Sequence, residues 1–193
     1  MKTLVNSRFS AALGGLTLLL AAASTNVQAA SLLIDVSGIA SRDLLGSGAN
    51  TVLSFNIGAG SHVTGLSWDL TLQATNPSWL SEMQLSFSGS DATGPGVLFT
   101  PGLGSDQSGT AQFSGQSDWR VQGLDFSVGA DGVLRLEFSE AASDGLAPDG
   151  LWKSGRLSLD YATAAVPEPA SYGLMGLGLV LLLGTQKRRA SKG

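Results

Sequence analysis

Fourteen carboxylates and one histidine between residues 31 and 165 are the side chains able to do acid–base or metal chemistry there. Cysteine is absent from the chain, which removes thiolate nucleophiles, thiolate metal sites and disulfides together. His62 sits in the turn-like stretch GAGSHVTG, and no Gly-x-Ser-x-Gly elbow occurs anywhere. The expectation is therefore a solvated loop histidine, not the base of a serine triad. Glu137 and Glu140 flank the end of an alternating run, and Asp144, Asp149 and Asp160 follow. They supply enough carboxyls for the acid/base pair of an extracellular hydrolase, whose members must lie ~5–9.5 Å apart across a cleft. The stretch SEAASDGLAPDG (139–150) also sets Glu140, Asp144 and Asp149 in a loop with Gly145 and Gly150. Hard oxygen donors on a pliable backbone suit calcium, so these three are candidate ligands, although the EF-hand spacing is not met. No other cofactor is expected. Trp68 alternates with leucines and is expected in the core. Trp79, Trp119 and Trp152 lie near turns, where an indole either stacks on a sugar ring or covers the end of a small sandwich.

These residues need a scaffold, and the chain from Ser31 to Ala165 reads as short strands separated by turns. Nine segments are predicted: 32–36, 51–57, 63–74, 82–88, 96–100, 110–114, 124–128, 133–139 and 156–162. Leu66, Trp68, Leu70 and Leu72 fall on one face while Ser67, Asp69, Thr71 and Gln73 fall on the other, the period-two pattern of a half-buried strand. Met83, Leu85 and Phe87 repeat it, as do Leu134, Leu136 and Phe138, and Leu157, Leu159 and Tyr161. Glycine, proline, aspartate and serine crowd the intervals. Asp131-Gly132 predicts a type I′ hairpin joining 124–128 to 133–139. Nothing in this region carries a sustained helical stripe or a fixed-period repeat. The expected fold is all-β, a single antiparallel β-sandwich or jelly roll over 31–165.

Charge divides the chain as sharply as pattern does. The region 31–165 holds five basic residues against fourteen acidic ones, a net charge of −9, whereas 166–193 carries +3. A body this acidic repels phosphate backbones, which argues against nucleic acid as a partner. Residues 1–30 carry Lys2 and Arg8, then an apolar run from about Ala11 to Ala23, then Val27-Gln28-Ala29. That is the order of a secretory signal peptide, with cleavage expected after Ala29 or Ala30.

The end of the chain, VPEPASYGLMGLGLVLLLGTQKRRASKG, combines three devices. Pro167 and Pro169 fix their own φ and push Val166 and Glu168 toward extended geometry, so the strip is stiff and poor in hydrogen bonds. From Ala170 to Gly184 the only polar residues are Ser171 and Tyr172. At ~1.5 Å per residue this run reaches about 22 Å, short of the ~30 Å hydrocarbon core. With Tyr172 at one interface and Lys187, Arg188 and Arg189 at the other, a short transmembrane helix over about 170–186 becomes feasible. The basic cluster places the C-terminus in the cytoplasm and the body across the membrane, which is where the signal peptide sends it too.

Pro167-Glu168-Pro169, a glycine-bearing apolar helix and Arg188-Arg189 near the end together resemble the PEP-CTERM sorting signal of exported proteins of Gram-negative bacteria. The resemblance implies an exosortase as partner, a membrane cysteine peptidase that processes the protein near the Pro-Glu-Pro. It also implies a tail held in the inner membrane before processing, release to the cell surface or extracellular matrix, and association with exopolysaccharide and biofilm formation. The sorting residues would be Pro167, Glu168, Pro169, Arg188 and Arg189.

A second likeness lies in the body. PSWLSEMQLSFSGSDATGPGVLFT followed by GVLRLEFSEAASDGLAPDGLWKSGRLSLDY is similar to the P-domain, the jelly-roll module attached to subtilisin-like convertases. It implies the fold and a loop calcium, and no protease activity. The combined expectation is an exported, non-enzymatic protein with a matrix or carbohydrate-associated role. The alternatives are a calcium-dependent binding module and an extracellular hydrolase using paired carboxylates.

Overall fold

The computed structural model describes residues 28–92, 94, 96–143, 145, 148–164, 173 and 176–178. Alternation governs which way its strands face. In the strand β1 (Ala29–Asp35) Ile34 is turned inward, and a short β2 (Ile39–Ser41) follows. Next come β3 (Thr51–Asn56), β4 (His62–Ala74), β5 (Met83–Gly89), β6 (Val97–Phe99) and β7 (Gly109–Asp118). The set closes with β8 (Phe126–Ser127), β9 (Val133–Glu140) and β10 (Gly150–Ala162). A 3-10 turn at Leu80–Glu82 precedes β5, and a single helical turn, α1 (Trp119–Gln122), follows β7.

Two antiparallel sheets result. One runs β1-β10-β4-β7, with β2 also pairing β10 and β8 pairing β4; the other runs β3-β9-β5-β6. Without the short β2 and β8, eight principal strands remain. In chain order they read 1-8-3-6 and 2-7-4-5, so apart from the consecutive pair β5-β6 the neighbours in a sheet are remote in the chain. This is a jelly-roll-like arrangement. Leu66, Leu70, Leu72, Leu157 and Leu159 of the first sheet share one core with Met83, Leu85, Phe87, Leu134, Leu136 and Phe138 of the second. Aromatic contacts bridge the layers: Phe138 meets Trp152 edge-on at 5.1 Å between ring centres, and Trp68 meets Phe99 at 4.8 Å. Among the described residues every buried core residue falls within Asn26–Val166, a compact unit that therefore carries its own core.

Each of the nine predicted strands falls on an observed one, and the departures have local causes. β10 begins at Gly150, six positions before the predicted start, because a register shift between Trp152 and Ser154 leaves Lys153 as an extra residue. The bulge reverses the alternation, so Trp152 points inward although Leu157 and Leu159 have the opposite parity. A second shift, between Asp160 and Tyr161, does the same for Val63 and Leu66 in β4. β2 has only three residues, too few to show a pattern. The predicted hairpin at Asp131-Gly132 is overturned. β8 pairs with β4 and β9 lies in the other sheet, so this turn crosses between layers. The turn closes through Gly132 N–H to Gly129 O at 3.1 Å and only Gly132 has positive φ there, whereas type I′ needs it at both central residues.

The expected signal peptide lies outside the described residues except for its last positions, where Ala29 and Ala30 already pair with Ala162 and Tyr161. The expected tail helix also lies outside them, apart from Gly173 and residues 176–178, which are helical. Among the described residues no helix is long and apolar enough to cross a membrane.

At Gly155 the strands β10 and β4 approach so closely that a Cβ would lie 2.3 Å from Asp69 O, and φ is +129°. Gly155→Ala should therefore cost about 3 kcal/mol or more in urea unfolding. Gly104→Ala, where φ is +83° but nothing lies within 4 Å, should cost only about 1 kcal/mol. Equal losses would contradict the close approach.

Candidate functional site

The tryptophans sort by burial. Trp119 begins α1, whose N-cap is Asp118, and its ring packs on Phe87 at 5.3 Å and stacks on Phe126 at 6.3 Å. Trp119 is 2% exposed and Trp152 0%, so neither offers a ring face to a sugar. Both were expected near turns. The bulge at Lys153 turns one inward, and the other is the buried residue of α1, packed on Phe87 and Phe126. Trp79 keeps 45% of its surface exposed, and its backbone N–H donates to Glu82 Oε2 at 2.8 Å, which orders the turn that carries it.

The carboxylates sort just as clearly. Glu140 and Asp149 are each 1% exposed, and Glu140 Oε1 lies 2.9 Å from where a Cβ on Gly150 would stand. The structure thus brings these two candidate calcium ligands to neighbouring buried positions, while Asp144 lies outside the described residues. Among the described residues no group of three or more His, Asp or Glu side chains is placed to hold a metal. Glu137 is also buried, on the outer face of the second sheet. Its Oε2 accepts from Arg135 Nη2 at 2.7 Å, and its Oε1 accepts from Gly46 N–H at 2.6 Å and Asn50 Nδ2 at 2.8 Å. Burial pushes the Glu137 carboxyl up, but the hydrogen bonds from Asn50, Arg135 and Gly46 and the Arg135 charge outweigh it, leaving the group below the ordinary glutamate value.

Around this ion pair runs a groove of about 280 Å³, lined by Ser86 and Ser88 of β5, Leu98 of β6, Arg135 and Glu137 of β9, and Leu45 and Gly46 of the 44–50 loop. Its walls come from segments remote in sequence, so no local motif marks it. The available signal was the i, i+2 spacing of Arg135 and Glu137, which sets opposite charges side by side on one strand face.

His62 is not a free loop residue. It opens β4, where Nε2 meets Asp125 Oδ2 at 2.6 Å and Nδ1 meets Ser127 Oγ at 3.0 Å. The ring is thus held between a carboxylate on one nitrogen and a hydroxyl on the other. Those are the contacts of a serine triad with the ring nitrogens exchanged. Ser127, however, lines a cavity with Asp91 and Asp131, whose carboxylates oppose the negative charge that an acyl transition state develops. The three residues tie β8 to β4.

At the same end of the body, β10 finishes at Ala162 between Ala29 and His62, and Thr163 N–H donates to Gln28 O at 3.0 Å. The sandwich closes there, three residues before Val166. From this junction the comparison with known proteins becomes decisive: residues 165–189 match the model of the PEP-CTERM protein-sorting motif. The chain carries a PEP-CTERM sorting motif. That motif marks an exported protein sorted by an exosortase, with its tail anchored in a membrane before processing and the surface as destination. Pro167, Glu168, Pro169, Arg188 and Arg189 fall inside the PEP-CTERM match and outside the described residues.

No curated protein matches the chain. Among solved structures, the body is similar to the VP2 subviral particle of infectious bursal disease virus at 17% identity and TM-score 0.35. That match covers 71% of this chain and 33% of the other. It is also similar to desmodium yellow mottle tymovirus at 9% identity and TM-score 0.26, covering 88% and 99%. The chain thus spans about a third of the bursal-virus chain.

The depressed pKa of Glu137 sets a pH dependence. Its contribution is complete above the unfolded glutamate value of ~4.3 and fades as pH falls through the lower folded value. Glu137→Gln should cost about 2 kcal/mol near neutrality and shrink that loss on acidification. Urea unfolding of wild type and variant at several pH values from 7 downward checks this, and two parallel stability curves would contradict it.

Proposed function

We propose that this chain is an exported, non-catalytic component of the cell surface or its polysaccharide matrix. Its C-terminal segment delivers it, and its jelly-roll-like body then acts by binding. The observation that carries this reading is the PEP-CTERM match at 165–189, which begins where the body's last strand has ended. A secretory signal peptide over residues 1–30 fits it, and so does a marginal apolar run over 170–186, since a temporary hold needs no strong anchor. A folded body with net charge −9 suits a soluble surface component and rejects nucleic acid. Exopolysaccharide is the partner that the sorting route favours. Trp79, exposed beside an ordered turn, is a candidate sugar platform.

A triple alanine variant of Pro167, Glu168 and Pro169 should leave the body's unfolding curve unchanged and keep the protein in the membrane fraction. Wild type should be recovered in shortened form at the surface or outside the cell. Replacing Arg188 and Arg189 with glutamine should also disturb retention and processing. Normal shortening of both variants would return the tail to an ordinary anchor.

A calcium-dependent module is the second reading, favoured by the adjacent burial of Glu140 and Asp149. It requires that added Ca²⁺ raise the melting temperature and that chelator lower it. A value unchanged by either removes it.

A further inference from the structure

We infer that the groove over the Arg135–Glu137 ion pair is a binding site for an uncharged sugar residue of a polysaccharide chain. The inference rests on the carbohydrate-associated reading above and assigns it a place. Three features of the groove point to this class of ligand. Its floor is hydroxylated and ionic but has no net charge: Ser86 and Ser88 flank a guanidinium and a carboxylate that pair at 2.7 Å. A guanidinium carries five N–H donors, of which Glu137 takes one, so donors remain for hydroxyl oxygens of a ligand. A phosphate or uronate would gain one guanidinium at the cost of the neighbouring carboxylate and of a body charge of −9.

The walls are apolar. Leu98 and Leu45 border the groove and are 51% and 52% exposed, leaving aliphatic surface of the kind that the C–H face of a pyranose covers. The site is also formed in advance. Glu137 holds the 44–50 loop through Gly46 and Asn50, and Asn50 closes that loop: its Oδ1 accepts from the N–H of the preceding Asp43 at 3.1 Å and its Nδ2 donates to Leu44 O at 2.8 Å. A wall already ordered spares the entropy of ordering it on binding. The groove is open at the surface, as the internal residue of a polymer requires.

The test is titration of the ¹⁵N-labelled body, residues 26–166, which contains the whole core. The probes are neutral hexasaccharides of β-1,4-glucose, α-1,4-glucose, β-1,4-mannose and β-1,4-galactose, with a polyuronate hexamer as the charged counterpart. At least one neutral probe should shift the amides of Gly46, Ser86, Ser88 and Leu98 with a dissociation constant of about 1 mM or tighter. Leu98→Asp and Arg135→Gln should each weaken that binding at least tenfold, while Leu33→Asp on the other sheet should leave it unchanged. Tighter binding of the polyuronate overturns the uncharged-ligand assignment. Shifts confined to the surroundings of Trp79 overturn this site and leave the carbohydrate reading standing. Silence from every probe overturns the site, and if the body also shows no retention on the producer's own polysaccharide, the carbohydrate reading falls with it.

Discussion

The contact of β10 with β4 at Gly155 is the constraint on which the sandwich depends. β10 is the hub of its sheet, paired with β1 and β2 along one edge and β4 along the other. It must present Trp152 to the core from one end and Leu157 and Leu159 from the other, three positions whose parity is incompatible with an unbroken strand. The extra residue at Lys153 resolves the conflict, and the backbone two residues later runs against Asp69 with no room for a side chain. One irregularity thus permits a long central strand, a closed end packed by Trp152 on Phe138, and the pairing of β1 that brings the two termini of the body together.

A similar economy appears at the other open side. Trp68 reaches across β7 to Phe99 because Gly115 has no side chain; a Cβ there would lie 2.6 Å from the indole. Closure of the core therefore uses the large aromatics at the places where the sequence carries turns or glycine. That is why three tryptophans that read as exposed or ambiguous divide in the structure into two core residues and one exposed ring.

The strands themselves were legible because apolar and polar residues alternate along them, so Met83, Leu85 and Phe87, or Leu134, Leu136 and Phe138, announce both element and orientation. Pairing was not legible. Asp131-Gly132 has the local chemistry of a hairpin, yet its flanking strands join different sheets because β8 finds a partner in β4, remote in sequence. The same limit hid the groove and the His62 cluster. Glu137 meets Gly46 and Asn50, and His62 meets Asp125 and Ser127, only after strands far apart in the chain have paired. The sorting segment is the opposite case: its function is written in local order and composition, and 165–189 could be read without any fold.

Body and tail therefore divide the work: one carries a self-contained core and an electrically balanced groove, the other an address. The intact mass of the protein recovered from outside the cells tests that division most directly. The account predicts a single species lacking the N-terminal leader and the apolar and basic residues beyond the Pro-Glu-Pro, with β-rich circular dichroism and cooperative unfolding. Full-length protein found only in the membrane, with its tail intact, would contradict it.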